Sequence, residues 1–498
     1  MHQLTKMFRQ ALLFIILSAN ILQAQAEDPY LFNLDIFNPI NSVGRGKYIP
    51  HTSEHFSIFS AYSSRSGEFR GFTEPAKTHN AVLGFKGFKV IDEAQSFSGE
   101  FKVFKNIREQ WNWVFVRDNM GFSPVLLGDS TTGSARFNGI QMQGEYNYQF
   151  NTTDNIHASL AYLVDEGLKQ LTPRPVSEHR DVRFDLSGSY GFFGWLKVRG
   201  GILIGDLNET ISYREDEGGL TQETVLLKFS GFDLPSVIRS KTETRFQYIN
   251  IYGASAGMDL SLSESVKIGV GYKGQITKRI QKDDALDPRL AGYIRGVSDD
   301  VSLNSRILVG ESGAMNLVFG YSNELGWSRA AERNVMYSRA DNERYYSRIS
   351  YEYRLSGAIK IYPLISLDKI NFSFTDHFSD ISFGHNFYRL GAELGTYCRI
   401  SDIIEFGGSV YYIQDLSAED RMTIGTVSGD YLAFRMSEIK KLITDISIIG
   451  IRFESKIKAG RHDYIIPEIG YTGIIPDRTY FSGGNSNFYF NLSYSLGI

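Results

Sequence analysis

From about Glu54 to the carboxyl terminus, large apolar residues alternate with small or polar ones. Val182, Phe184, Leu186, Tyr190 and Phe192 interleave with Asp181, Arg183, Asp185, Ser187 and Ser189. Ile140, Met142, Tyr146 and Tyr148 interleave with Gln141, Gln143, Glu145 and Asn147, and Ile449, Ile451 and Phe453 with Gly450, Arg452 and Glu454. Side chains along a strand face opposite ways in turn, so a period of two predicts strands with one apolar and one polar face. No comparably long stretch reads as an amphipathic helix. The segment from Phe488 to Ile498 alternates most cleanly, with apolar or aromatic residues at 488, 490, 492, 494, 496 and 498. A strand of this kind needs a neighbour. Pairing with the first strand would close the sheet and remove both edges.

The connections alternate in length as well. Short ones include 151–155, 193–195, 261–264, 311–314, 401–402 and 459–462. Long polar ones are expected near 64–79, 118–136, 167–180, 214–240, 281–297, 327–344 and 415–440. Short turns at one end and long loops at the other are the pattern of a transmembrane antiparallel up-and-down β-barrel, an all-β fold. Pairing the segments gives about 18 strands, within a range of about 14 to 18. The strand at 488–498 resembles the terminal strand of bacterial outer-membrane β-barrels, with Ile498 where those usually carry an aromatic residue.

The amino terminus predicts the same address. Lys6 and Arg9 precede a short apolar run, Ala11 to Leu22, and Ala24-Gln25-Ala26 fits a signal-peptidase site. The expected organisation is a signal peptide at 1–26, a periplasmic lead-in at 27–53 and one outer-membrane barrel at 54–498. Losing Lys6 and Arg9 would take the formal charge from −4 to −6. That acidity speaks against nucleic acid as a partner. Cys398 is the only cysteine, so an intrachain disulfide is excluded. The mean hydropathy of −0.21 suits a barrel, because only alternate residues meet lipid.

Two glycine motifs invite an enzymatic reading. Gly253-Ala254-Ser255-Ala256-Gly257 fits G-x-S-x-G, and Gly269-Val270-Gly271-Tyr272-Lys273-Gly274 fits G-x-G-x-x-G. Each needs a strand-to-helix turn, and here each sits inside a period-two stretch. The histidines are scattered, and Asp376-His377 and His462-Asp463 are sequence neighbours, which face apart on a strand. No enzyme activity, cofactor or metal is expected.

If the apolar positions face lipid, the opposite register lines the lumen. Candidate lumen residues are Arg183, Asp185, Arg199, Lys267, Arg348, Glu352, Arg354, Arg399, Arg452 and Glu454. Cations outnumber acids in this register, and rings of Arg and Lys favour anions in pores. The alternative is that these groups pair with one another and fill a closed interior. The segment Gly121 to Ser130, followed by Phe137-Asn138-Gly139-Ile140, resembles a family of Bacteroidota outer-membrane β-barrels of unknown function. The resemblance implies a membrane location and a role beside nutrient-uptake or envelope machinery, and it assigns no active residue. Two functions are carried forward. One is a pore or transporter for small, anionic solutes. The other is a closed barrel acting as subunit or scaffold of an envelope complex, with outer-membrane lipid and envelope proteins as partners. Segments 214–240 and 415–440 hold the apolar runs Val225-Leu226-Leu227 and Tyr431-Leu432-Ala433-Phe434, unusual for free loops, and either could plug the lumen.

Overall fold

The computed structural model describes residues 54–497, apart from 72, 113–116, 118–124, 130, 152, 171–173, 215–223, 231–235, 241, 285, 311–312, 332–334, 425–428, 461–462 and 478. The signal peptide and lead-in expected at 1–53 lie outside the described residues.

Strands account for nearly all of it. In chain order they are β1 (His55–Gly67), β2 (Lys77–Val90), β3 (Gln95–Trp111), β4 (Val125–Asp129), β5 (Gly133–Gln149), β6 (Asn155–Lys169) and β7 (Val176–Phe193). Then come β8 (Leu196–Arg214), β9 (Thr224–Ser230), β10 (Ser236–Ser240), β11 (Thr242–Ser261), β12 (Val266–Asp283), β13 (Arg289–Val309) and β14 (Gly313–Ala330). The last are β15 (Val335–Arg354), β16 (Ile359–Asp376), β17 (Ile381–Arg399), β18 (Ile404–Ile424), β19 (Ile446–Lys458), β20 (Tyr464–Pro476) and β21 (Asn485–Gly497), with one helix, α1 (Gly429–Leu442), before β19. All but β4, β9 and β10 form a single 18-stranded sheet. β1 pairs with β21 from His55↔Gly497 to Gly67↔Asn485, which closes the barrel.

That seam defines two ends. At the proximal end, where β1 starts and β21 finishes, connections are brief, such as 194–195 and 262–265. The distal end carries the connections with structure of their own: 112–132 holds β4, 215–241 holds β9 and β10, and 425–445 holds α1. Three of the long loops expected from sequence are instead strand. β6 and β7 leave only 170–175 between them, β12 and β13 only 284–288, and β14 and β15 only 331–334. The strands outrun the apolar band, and where both faces turn polar the period-two signal fades. The long loop expected at 415–440 is instead strand as far as Ile424 and then the helix α1. Of its described side chains, Met436, Ile439 and Leu442 pack on the wall, with Ile443 just beyond its end. Lys440 and Lys441 in its last turn complement the helix dipole.

The polarity of the two faces inverts along the strands. In proximal β8, Val198, Ile202 and Ile204 face outward while Lys197, Arg199 and Gly201 face in. Further along, Asp206, Asn208 and Thr210 face outward, and Leu207, Ile211 and Tyr213 are buried inside. β16 repeats this: Ile365 and Leu367 face outward below, and Ile370, Phe372 and Phe374 are buried inside above. A band of outward apolar groups is the pattern of a lipid-facing barrel wall. Inward apolar groups require something in the lumen to cover them.

Candidate functional site in the lumen

Two insertions supply that cover. β4, β9 and β10 form a three-stranded sheet in the order β10-β9-β4. Its Leu126, Leu127 and Leu226 pack with Trp111, Phe137, Ile211 and Tyr213 of the wall. A bulge between Arg108 and Trp111, with Gln110 at φ 51°, turns the indole into this cluster. Polar anchors fix the sheet to the wall. The Lys169 ammonium donates to Asp129 Oδ1 at 2.7 Å, both side chains fully buried. The Tyr213 hydroxyl donates to the Leu127 carbonyl at 3.0 Å. Asp283 of β12 receives Arg245 at 2.7 Å and Lys228 of β9 at 3.6 Å. The segment whose family resemblance stood out in the sequence therefore supplies a plug strand, β4.

The second insertion is α1. Ile439, Leu442 and Ile443 pack on Ile370, Phe372, Phe374, Phe383 and Phe387. Below it, the Arg389 guanidinium holds Asp415 with two bonds of 2.7 and 2.8 Å, both groups buried. His385, also buried, sits between Asp420 and Asp445. Burial pushes the Asp445 carboxyl above its ordinary range, against the pull of the Ser417 N–H and His385. A cavity of about 400 Å³ opens on the outer face of the wall at this level, lined by Gln414, Leu416, Ser447 and Ile475 together with Asp445 and Asp477.

The β1–β2 connection joins the two insertions. Thr73 donates to Glu438 of α1 through its N–H at 2.9 Å and its hydroxyl at 2.7 Å. Lys441 of α1 contacts Glu74. The Trp111 indole N–H donates to the Thr73 carbonyl at 2.8 Å. Burial alone would raise the Glu74 carboxyl, but Lys441 and Arg65 outweigh it and hold the group at about 2. Helix, connection and small sheet thus form one contact chain across the distal lumen.

The proximal lumen is polar and wetter. Arg183 contacts Asp181 at 2.6 Å, with Asp185 two residues along the same face. Arg199 reaches Asp259 at 3.0 Å, Glu352 receives Lys360 at 3.1 Å, and Arg399 reaches Glu405 at 3.0 Å. Arg452 lies between Glu454 at 3.2 Å and Glu468 at 2.9 Å. The Arg348 guanidinium stacks over Tyr346, 5.8 Å from the ring centre, and Lys267 and Arg354 are exposed near the proximal end. Of the ten candidates, Arg452 and Glu454 contact each other, and the others are distributed over β7, β8, β12, β15 and β17. Sequence reasoning missed the acids Asp259 and Glu468 and the cation Lys360. Each is a cross-strand or same-face neighbour of a candidate, visible only once the register is known. These partners offset the cations, so the net-basic character read from the sequence is largely neutralised.

Glycines on the inner wall make room for aromatic rings. A Cβ on Gly450 would meet the Tyr411 ring at 2.0 Å, and one on Gly470 the Tyr489 ring at 2.2 Å. The two glycine motifs lie inside β11 and β12, in unbroken antiparallel ladders.

The sequence profile of a family of unknown function, DUF6850, matches residues 51–498. No curated protein sequence matches the chain. Among solved structures, similar folds include the siderophore receptor PiuA from Acinetobacter baumannii, with a TM-score of 0.42 and 8% identity over 88% of this chain and 82% of that one. The copper transporter OprC gives 0.42 and 8% over 89% and 81%. The ferric-catecholate import receptor Fiu from E. coli K12 gives 0.41 and 8% over 90% and 82%.

Proposed function

The chain belongs to a family of unknown function, DUF6850, and we propose that it is an outer-membrane barrel that passes small solutes through a lumen gated at its distal end. One observation carries this reading. Inserted segments with their own anchors cross the distal lumen, while the proximal lumen is lined by polar and charged groups. A wall meant only to be solid could be filled by its own side chains; here separate elements do the filling, and separate elements can move. Arg348 and Arg354 make no salt bridge among the described residues, and they are the reason to name anions as the favoured solutes. The proximal end faces the periplasm in this reading, and lipid surrounds the outward apolar band.

A closed barrel serving as an envelope scaffold is the second reading, favoured by the paired charges and the two insertions. Planar-bilayer conductance across a salt gradient separates them. The native barrel should conduct weakly or in rare openings. A variant with 425–445 replaced by a short Gly-Ser connection should conduct steadily and prefer anions, and Arg348→Glu in that background should reduce the preference. Silence from both barrels, each shown to be folded by heat-modifiable migration, would sink the transporter and leave the scaffold.

A further inference from the structure

The outward face of β12, β13 and β14 carries a cluster of cations just above the lipid-facing band. Val270, Tyr272, Val301, Leu303 and Phe319 are its exposed apolar neighbours below. Above them stand Lys278 and Lys282 on β12, Arg295 on β13 and Arg329 on β14. Lys278 and Arg295 are directly opposite in the ladder. Like charges at opposed positions repel and destabilise a sheet unless an anion lies between them. Their other cross-strand neighbours are Asn250 and Trp327, neither of them acidic. Among the described residues, Lys278, Lys282 and Arg295 make no salt bridge.

Each of these three cations is placed over an aromatic ring instead. Lys278 lies 5.9 Å from the Tyr252 ring centre, Lys282 5.9 Å from Tyr248, and Arg295 5.3 Å from Trp327. Stacking holds a cation without neutralising it. The acids on this face have other partners: Asp299, lower on β13, accepts the Tyr272 hydroxyl at 2.6 Å, Asp341 on β15 is 3.5 Å from Arg339, Glu343 on β15 accepts from the Asn371 amide at 3.4 Å, and Asp287 holds Arg289 at 3.1 Å. Other outward stretches at this level balance their charges, as with Arg180 and Asp206 at 3.5 Å, or Lys77 opposite Glu109.

We propose that Lys278 and Arg295, with Lys282 and Arg329 beside them, bind the phosphorylated headgroup of an outer-leaflet lipid. The position selects this ligand. The cations sit where acyl chains end and headgroup phosphates begin, with aromatic rings at the same interface. The apolar strands beneath would hold the acyl chains of the same molecule. The inference rests on the outer-membrane reading above.

The test uses full-length barrel, purified in detergent and checked for heat-modifiable migration. Native mass spectrometry measures lipid retained after titration with diphosphoryl lipid A, with its dephosphorylated form, or with inorganic phosphate as competitor. The diphosphoryl form should be retained about tenfold or more over the dephosphorylated one. The double variant K278Q/R295Q should lose that preference, while R180Q, outward on β7, should keep it. Equal retention of both lipids, or an unchanged preference in K278Q/R295Q, would overturn the inference. Displacement by inorganic phosphate would also overturn it, by reducing the cluster to a simple ion site. Failure of the barrel to insert into vesicles would instead count against the outer-membrane reading itself.

Discussion

Two arginines ten residues apart on one strand show how differently the halves of the lumen treat the same chemistry. Arg389 and Arg399 both face inward from β17, and each bonds a carboxylate on β18. The side chains of Arg389 and Asp415 are 3% and 2% exposed; those of Arg399 and Glu405 are 52% and 18% exposed. The wall is continuous, so the difference comes from what stands in front of it. Under α1 the pair is sealed from water, and breaking it would strand a buried charge. At the proximal end water competes for both partners, and the pair contributes little.

Unfolding by urea in detergent tests this contrast directly. Arg389→Ala should destabilise the barrel by about 3–5 kcal/mol, because Asp415 is left buried and unpaired. Arg399→Ala should cost no more than about 1 kcal/mol. Equal losses would mean that α1 does not keep the distal half dry.

A second test removes packing instead of charge. Phe372→Ala should cost about 3–5 kcal/mol and speed hydrogen exchange across 436–443, where α1 packs on this wall. An unchanged exchange rate there would show that the helix is held by something other than that surface.

The junction between the insertions should give a smaller effect. Glu74→Gln should weaken it by about 1–3 kcal/mol, since Lys441 loses a charged partner. The pH dependence has a definite sign. The Glu74 carboxyl is held below its ordinary value of 4.5, at about 2. Its stabilising contribution is therefore complete above about 4.5 and is lost as pH falls toward 2. Exchange of α1 amides measured from neutral pH downward should rise in that window in the native barrel, with a smaller rise in the variant. Smallest for stability is Arg354→Glu at the proximal end, an exposed residue with no salt bridge among the described residues. It should leave unfolding almost unchanged and move ion preference toward cations once the lumen conducts; a large loss of stability would show that this half is as sealed as the other.

The same division explains what the sequence could disclose. Proximal stretches such as 182–192 and 449–453 carry apolar groups on the outer face and polar or small ones on the inner face, so their alternation is plain. The distal stretch Val176-Ser177-Glu178-His179-Arg180-Asp181 is strand too, but reads as a polar loop. Its outward Glu178 and Arg180 meet water, and its inward Ser177 and His179 are buried against polar partners, Glu209 and Asp165. Neither face is apolar, so no periodicity survives. The inserted segments were visible only as misplaced grease. Leu226 in the run at 225–227 became fully buried against the wall, while the side chains of 431–434 lie outside those described. Ion partners across strands were invisible for a different reason: Arg199 and Asp259, or Arg452 and Glu468, are brought together by register, which a single chain does not spell out.

The seam between β1 and β21 has a consequence for how such a molecule can be made. Every barrel pairing but this one joins strands consecutive in the sheet's path along the chain. Those hairpins can zip progressively, each adding to the last at modest loop-closure entropy. The seam alone joins residues from the two extremes of the described chain, and neither β1 nor β21 has its second partner until all the strands between them exist. Closure therefore waits on every strand between them and has the highest contact order among the described pairings, and until it happens two edges are open to mispairing. A chain that loses β21 would keep most of its ladders and still present both edges.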